Sequence, residues 1–214
     1  MTPADLAGRH PRLFHVTTPG AAAAIRRHGL QTTRQLVARF KRPRADRTRL
    51  TTARRPGPVP LHHPDEGTAT LNDNLPLSER TLERCLDDGL TPADGLTMLN
   101  DRVFFWPDDA GVQSLLRARI NRTRPRDVLV FDTRKLIEPV AARTELSPIN
   151  SGSTLRKPAR RGRGTFTPLR QHDYPTWRKL RGGHDRIREV TVRRGVPADA
   201  IRAALLDVEN HRPT

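Results

Sequence analysis

The strand-like runs of this chain are short and unevenly spaced, and that spacing limits its folds more than any other feature. Residues 127–133, DVLVFDT, form the clearest buried strand: a nearly continuous apolar run bounded by polar residues. RVFFW at 102–106 carries bulky residues on both faces, and RLFHVT at 12–17 follows a proline. A strand of alternating character, RIREVTV, covers 186–192, and a last strand follows the helix that starts at Pro197. Helical segments separate these runs at irregular intervals. The steady βαβ rhythm of a doubly wound sheet is missing, so the expected class is α+β.

The helices are marked by their ends. Alanine-rich 19–30 stops at Gly29, TTRQLVARF places Leu36, Val37 and Phe40 on one side, and SERTLERCLDDGL runs from Ser78 to Gly89. TPAD at 91–94 is a capping signature, with Pro92 in the first helical position and Asp94 in the third. In PDDAGVQSLLRARI the acids lie at the start and the arginines at the end, as the helix dipole favours, so Asp108 and Asp109 read as a helix start. Between 41 and 76 periodicity disappears among Pro, Gly, His and Arg, which predicts a long loop or weakly ordered insertion. One domain of 214 residues with a basic loop or helical insertion at about 41–100 is the expected organisation.

Charge is the strongest compositional signal. The net charge is +16, concentrated in three stretches: 39–55 with eight basic residues and one acid, 117–126 with five, and 156–163 with five. Residues 65–109 hold eleven acids and three arginines. Such a footprint favours nucleic acid or another polyanion through phosphate contacts and counterion release. A GC-rich coding bias yields the same Arg, Ala, Gly and Pro excess. Aromatic residues are 4% of the chain, too few to suggest a stacking platform. The single cysteine, Cys85, excludes an internal disulfide and reads as a core residue, which points to a cytoplasmic protein. No apolar run approaches the roughly 20 residues of a membrane span. The first twelve residues, MTPADLAGRHPR, have no apolar stretch after their charges and do not read as a secretory leader.

Standard chemical motifs are missing. The chain has no G-x-G-x-x-G, no Walker loop and no G-x-S-x-G elbow. His62 and His63 are adjacent, without the spacing of metal ligands, so no metal is expected. What stands out is polar residues inside strands. Strand alternation sets Phe14 and Val16 on one face and His15 and Thr17 on the other. Glu189 interrupts the apolar residues of RIREVTV. Its plain reading is a surface residue on an edge strand, paired with one of many arginines. In LSPINSGST, Asn150, Ser151 and Ser153 cluster beside Gly152, which by composition is an ordinary turn.

The order of these stretches, HVT, a helix ending GL, an Arg-rich segment, VFFW, SPINSGST and a late EVTV strand, resembles the ADP-ribosyltransferase superfamily. More closely, it resembles an uncharacterised bacterial family carrying LNxRVFFW, LSPINSG and RRGxxTF, itself similar to the DarT DNA ADP-ribosyltransferases. The resemblance implies two small β-sheets around an NAD cleft, with helices outside. It implies that NAD is the substrate, that His15 bonds a ribose hydroxyl with Thr17 in support, and that Glu189 is the catalytic glutamate. Phe104, Phe105 and Trp106 would wall the nicotinamide, with Asn150 and Ser151 in the same cleft. An arginine of DarT has four candidates here. Arg47 and Arg55 are taken as catalytic, and Arg49 and Arg54, with Arg160, Arg161 and Arg163, as nucleic-acid contacts. The implied activity is ADP-ribosylation of DNA or RNA by a monomer, in a toxin or defence protein with a neutralising partner. Two alternatives are an NAD-dependent RNA 2′-phosphotransferase and a basic nucleic-acid-binding module without catalysis.

Overall fold

The computed structural model describes residues 1–155 and 157–213. Arg156, the first residue of the third basic cluster, and Thr214 lie outside the described residues. The chain is mixed α+β. Its helices are α1 (Pro3–Arg9), α2 (Ala22–His28), α3 (Thr33–Arg39), α4 (Arg44–Thr52), α5 (Glu79–Cys85), α6 (Pro92–Asn100), α7 (Asp109–Arg117), α8 (Thr133–Ile137), α9 (Tyr174–Leu180) and α10 (Ala198–Ala204). Its strands are β1 (Arg12–Thr17), β2 (Val59–His63), β3 (Gly67–Leu71), β4 (Arg102–Phe105), β5 (Arg126–Asp132), β6 (Thr144–Ser147), β7 (Thr167–Pro168), β8 (Glu189–Arg193) and β9 (Leu205–His211).

The described strands form three antiparallel sheets, in the orders β1-β5-β9, β2-β3 and β4-β8-β6-β7. Two small sheets were expected, and the third is the β2-β3 hairpin inside the stretch read as a loop. The first and third sheets touch through one bridge. Phe14 N–H donates to the Trp106 carbonyl at 3.0 Å, and Trp106 N–H donates to the Phe14 carbonyl at 2.9 Å. Strand alternation fills the space on both sides of this joint. Leu13 enters the main core with Phe105, Phe131, Leu129, Trp177 and Val190, whereas Phe14 packs with Val112, Leu116, Val128 and Val130.

Residues 41–76 are ordered, and the reason is visible in the packing. Helix α4 buries a single residue, Leu50, so it carries no apolar periodicity. Charge pairs hold its surface: Arg42 to Asp46 at 2.6 Å and Arg49 to Asp46 at 3.4 Å. Leu50 joins Val37, Phe40, Leu61 and Leu71 in a satellite cluster, which requires the hairpin to close. Gly67 closes it at φ +72°, after Pro64. Pro60 lies in β2, opposite Thr70 in a two-stranded sheet where each strand is an edge, the place a strand proline is tolerated. A second small cluster, Leu77, Leu82, Cys85 and Leu96, joins α5 to α6. Among the described residues no helix is long and apolar enough to cross a membrane.

Candidate active site

Where the two larger sheets splay apart, a cleft of about 1420 Å³ opens. Its floor is the β1–β4 joint, and its walls come from the β1–α2 loop, the hairpin, the end of α7 and the loop after β6. His15, Thr17, Phe104, Trp106, Asn150 and Glu189 all line it.

His15 is held by strand pairing opposite Leu129 and by its own ring. Its Nδ1 lies 2.9 Å from the Phe104 carbonyl. A carbonyl only accepts, so Nδ1 carries the proton. Burial pushes the imidazole pKa down, against the effect of that hydrogen bond, and keeps the ring neutral. Nε2 is then an acceptor in a cleft-lining side chain. Thr17, two residues on, shares the strand face.

Glu189 starts β8, which is flanked by β4 and β6 and is therefore not an edge strand. The carboxyl group is buried, with the residue 5% exposed. Ser151 meets both of its oxygens: the backbone N–H donates to Oε1 at 3.1 Å and the hydroxyl to Oε2 at 2.6 Å. Burial raises the pKa to about 7, against the lowering effect of Ser151 and of the Arg161 charge. A carboxyl poised near neutrality in a cleft is a recurring mark of acid–base chemistry.

The aromatic run divides by strand alternation. Phe104 and Trp106 face the cleft, whereas Phe105 points into the core, where its ring meets Phe131 at 5.9 Å. The expectation that all three wall one ligand is corrected accordingly. Trp106 lies against Gly111 of α7, where an added Cβ would fall 2.6 Å from Cε3 of the indole.

The arginines divide less predictably. Arg47 is exposed on α4 and lies outside the cleft lining. Arg55 lines the cleft but is 6% exposed, and its Nε and Nη1 bond the protein: Nε the Asn72 carbonyl at 2.9 Å, Nη1 the Leu50 carbonyl at 2.6 Å and Asn100 Oδ1 at 3.0 Å. Burial lowers its pKa to about 10. Arg54 is half-buried and bonds the Leu75 carbonyl at 3.1 Å. Arg49, Arg160 and Arg163 are exposed. Arg161, expected at a nucleic-acid surface, is 6% exposed and turns inward to the Ser151 carbonyl at 2.7 Å. A guanidinium that finds a backbone acceptor inside gains more there than from dilute surface charge. Arg27 and Arg119 sit exposed on the cleft lining, and Arg39 is paired with Glu66 at 2.5 Å. Sequence reasoning missed the Ser151–Glu189 contact. Its only signal was the density of short polar groups in SPINSGST. No group of three or more potential metal ligands occurs among the described residues.

A model of the family described as "Family of unknown function (DUF7002)" matches residues 11–202. No curated protein and no solved structure matches the chain.

Proposed function

The chain belongs to the DUF7002 family of unknown function, so its chemistry must be read from its own cleft, and we propose that the protein is an NAD-dependent ADP-ribosyltransferase that modifies nucleic acid. One observation carries this reading. His15 and Glu189, from different sheets and opposite ends of the chain, line one cleft, the first as a neutral acceptor and the second as a buried carboxyl.

The residue chemistry fits the reaction. Small-molecule sites commonly measure roughly 300–1,000 Å³, so a cleft of about 1420 Å³ has room for a dinucleotide beside part of an acceptor. NAD supplies a nicotinamide–ribose bond whose cleavage builds positive charge on the sugar, as in glycoside hydrolysis. His15 Nε2 accepts a hydrogen bond from a ribose hydroxyl and orients the sugar. Ionised Glu189 accepts from a second hydroxyl, opposes the developing charge and takes the proton of the incoming nucleophile. Phe104 and Trp106 offer an apolar face to an aromatic ring. Arg27 and Arg119 provide charge for a diphosphate. The +16 net charge favours a polyanionic acceptor.

The test uses NAD labelled in its ADP-ribose part, with single-stranded DNA, duplex DNA, RNA and a cell protein extract as separate acceptors. Label should appear on a nucleic acid, and Glu189→Gln should lose roughly 100-fold or more of the rate. Absence of both transfer and nicotinamide release in every arm would sink the proposal. A second reading, an RNA 2′-phosphotransferase, is favoured by the basic side chains Arg27, Arg39 and Arg119 on the cleft lining, which suit an extra phosphate. Phosphate loss from a 2′-phosphorylated RNA, retained in Glu189→Gln, would replace the first reading with this one.

A further inference from the structure

We propose that Arg161 is a positioning residue for Glu189, acting through the backbone of Ser151, and that its side chain belongs to the frame of the site and not to a polyanion-binding surface. The inference deepens the transferase reading and rests on it for the role of Glu189.

Ser151 spends all its polar groups in one place. Its N–H and hydroxyl hold the two oxygens of Glu189, and its carbonyl accepts from Arg161 Nη1 at 2.7 Å. On its own Ser151 would be a poor clamp, because it lies in a loop between Asn150 and Gly152 rather than in a helix or strand. Arg161 supplies the missing anchor, since its own position is fixed three times. Its N–H donates to the Cys85 carbonyl at 2.9 Å, and its carbonyl accepts from Asp87 N–H at 2.8 Å, a bridge alongside Leu86 at the end of α5. Its Nε donates to the Ala159 carbonyl at 3.1 Å. A Cβ on the next residue, Gly162, would lie 2.4 Å from Asp88 Oδ2, so a side chain there would have to displace the Asp88 carboxylate. The flanking arginines reinforce the same contact, with Arg160 paired to Asp87 and Arg163 N–H bonded to Asp88 at 2.7 Å.

The residue type matters. A planar guanidinium donates along two directions at once, to the Ala159 and Ser151 carbonyls, whereas an ammonium is a point charge without that fork. A buried cation is costly unless its charge is opposed. Among the described residues Arg161 makes no hydrogen bond to a carboxylate; burial lowers its pKa, and the groups that oppose this are Cys85 and, across Ser151, Glu189. The other titratable groups around the pair are His15 across the cleft, Cys85 behind Arg161, the Arg102–Glu145 ion pair on the same sheet, and Asp87 and Asp88 at the end of α5.

The test does not depend on transfer. The full chain, carrying glutamate labelled with ¹³C at the side-chain carboxyl, is titrated by NMR, with the Glu189 signal identified from Glu189→Gln. Arg161→Gln should raise the Glu189 midpoint, both because an opposing positive charge is lost and because the Ser151 clamp is no longer held. Arg161→Lys should stay nearer the wild-type midpoint. In the transfer assay the loss in both variants should fall on kcat, with KM for NAD little changed, and Arg161→Lys should be partly rescued. An unmoved midpoint in folded Arg161→Gln overturns the proposal. If Arg161→Gln does not fold, Arg161→Lys decides: wild-type midpoint together with wild-type kcat overturns it. A moved midpoint with no transfer from wild type to any acceptor supports the brace and rejects the transferase reading. Salt-dependent nucleic-acid binding that weakens in Arg161→Lys as it would on losing a phosphate contact overturns the assignment of Arg161 to the frame.

Discussion

Two basic segments, 39–55 and 157–163, are built on one plan and put to different uses. Each turns one arginine fully inward and leaves others at the surface. In the first segment that arginine is Arg55, which gathers the end of α4, the exit of the β2–β3 hairpin and the end of α6 by bonding the Leu50 and Asn72 carbonyls and Asn100 Oδ1. In the second it is Arg161, which gathers the end of α5 and the loop after β6. Arg55 ties elements of one layer to each other, whereas Arg161 leads to a buried carboxyl in the cleft. Arg47, Arg49, Arg160 and Arg163, drawn from the same segments, remain in solvent. The contrast teaches that charge density along a chain says little about the work a given arginine does. Its acceptors decide that, and a backbone carbonyl near a helix end is as good a destination as a phosphate.

The largest effect expected from breaking this contrast is on stability, at Arg55. Arg55→Met keeps much of the apolar stem but strands two buried acceptors, the Leu50 carbonyl and Asn100 Oδ1, each worth about 1–3 kcal/mol when left unsatisfied, and frees the half-buried Asn72 carbonyl. A loss of roughly 4 kcal/mol or more in urea-induced unfolding follows. Its transferase rate, read under conditions where the variant is folded, should drop far less than that of Glu189→Gln. A loss below about 1 kcal/mol would mean that Arg55 belongs with the solvent-facing arginines.

Next in size is the carboxyl that Arg161 faces. Its pKa is about 7 in the folded chain, against 4.5 for the ordinary side chain. The folded state therefore binds this proton more tightly than the unfolded state. The stability that it contributes is intact below about pH 4.5 and is lost as pH rises through 7. Above pH 7 the ionised group costs the fold on the order of 3 kcal/mol. Glu189→Gln lacks that ionisation. Measured against wild type, its stability should gain on the order of 3 kcal/mol between pH 4 and pH 8, whatever the absolute offset from altered bonding to Ser151. A difference that does not change with pH would show that Glu189 titrates as an ordinary carboxyl.

Much of the scaffold was legible because its signals are local. The capping box at Thr91 and Asp94, the helix stop at Gly29 and the buried run of β5 all lie within a few residues of what they specify. Helix α4 was not legible, since Leu50 is its one buried residue and its partners Leu61 and Leu71 arrive from a hairpin further on. Pro60 hid the hairpin, because a proline in a strand is tolerated only where the edge is free. In the site, His15 and Glu189 stood out as polar residues inside strands. Period-two alternation was enough to separate Phe105 from Phe104 and Trp106, although the run was read as one wall. Arg161 could not be read at all. Its direction depends on a bridge to Leu86, 75 positions earlier in the chain.

The smallest stability effect belongs to the outward arginines of α4, and it asks whether their charge has any function. Arg47 and Arg49 are exposed, and the Arg49–Asp46 contact at 3.4 Å is a surface pair worth a few tenths of a kcal/mol. Arg47→Ala with Arg49→Ala should therefore leave unfolding within about 0.5 kcal/mol of wild type. Nucleic-acid affinity is a separate quantity. If both side chains meet phosphates, the slope of log K against log salt becomes shallower by about 2 in the double variant, since each contact releases about one counterion. Affinity then falls to a similar degree on DNA of any sequence. An unchanged slope would place the polyanion-binding face elsewhere, and the exposed half of segment 39–55 would then serve only as solvated surface around Arg55.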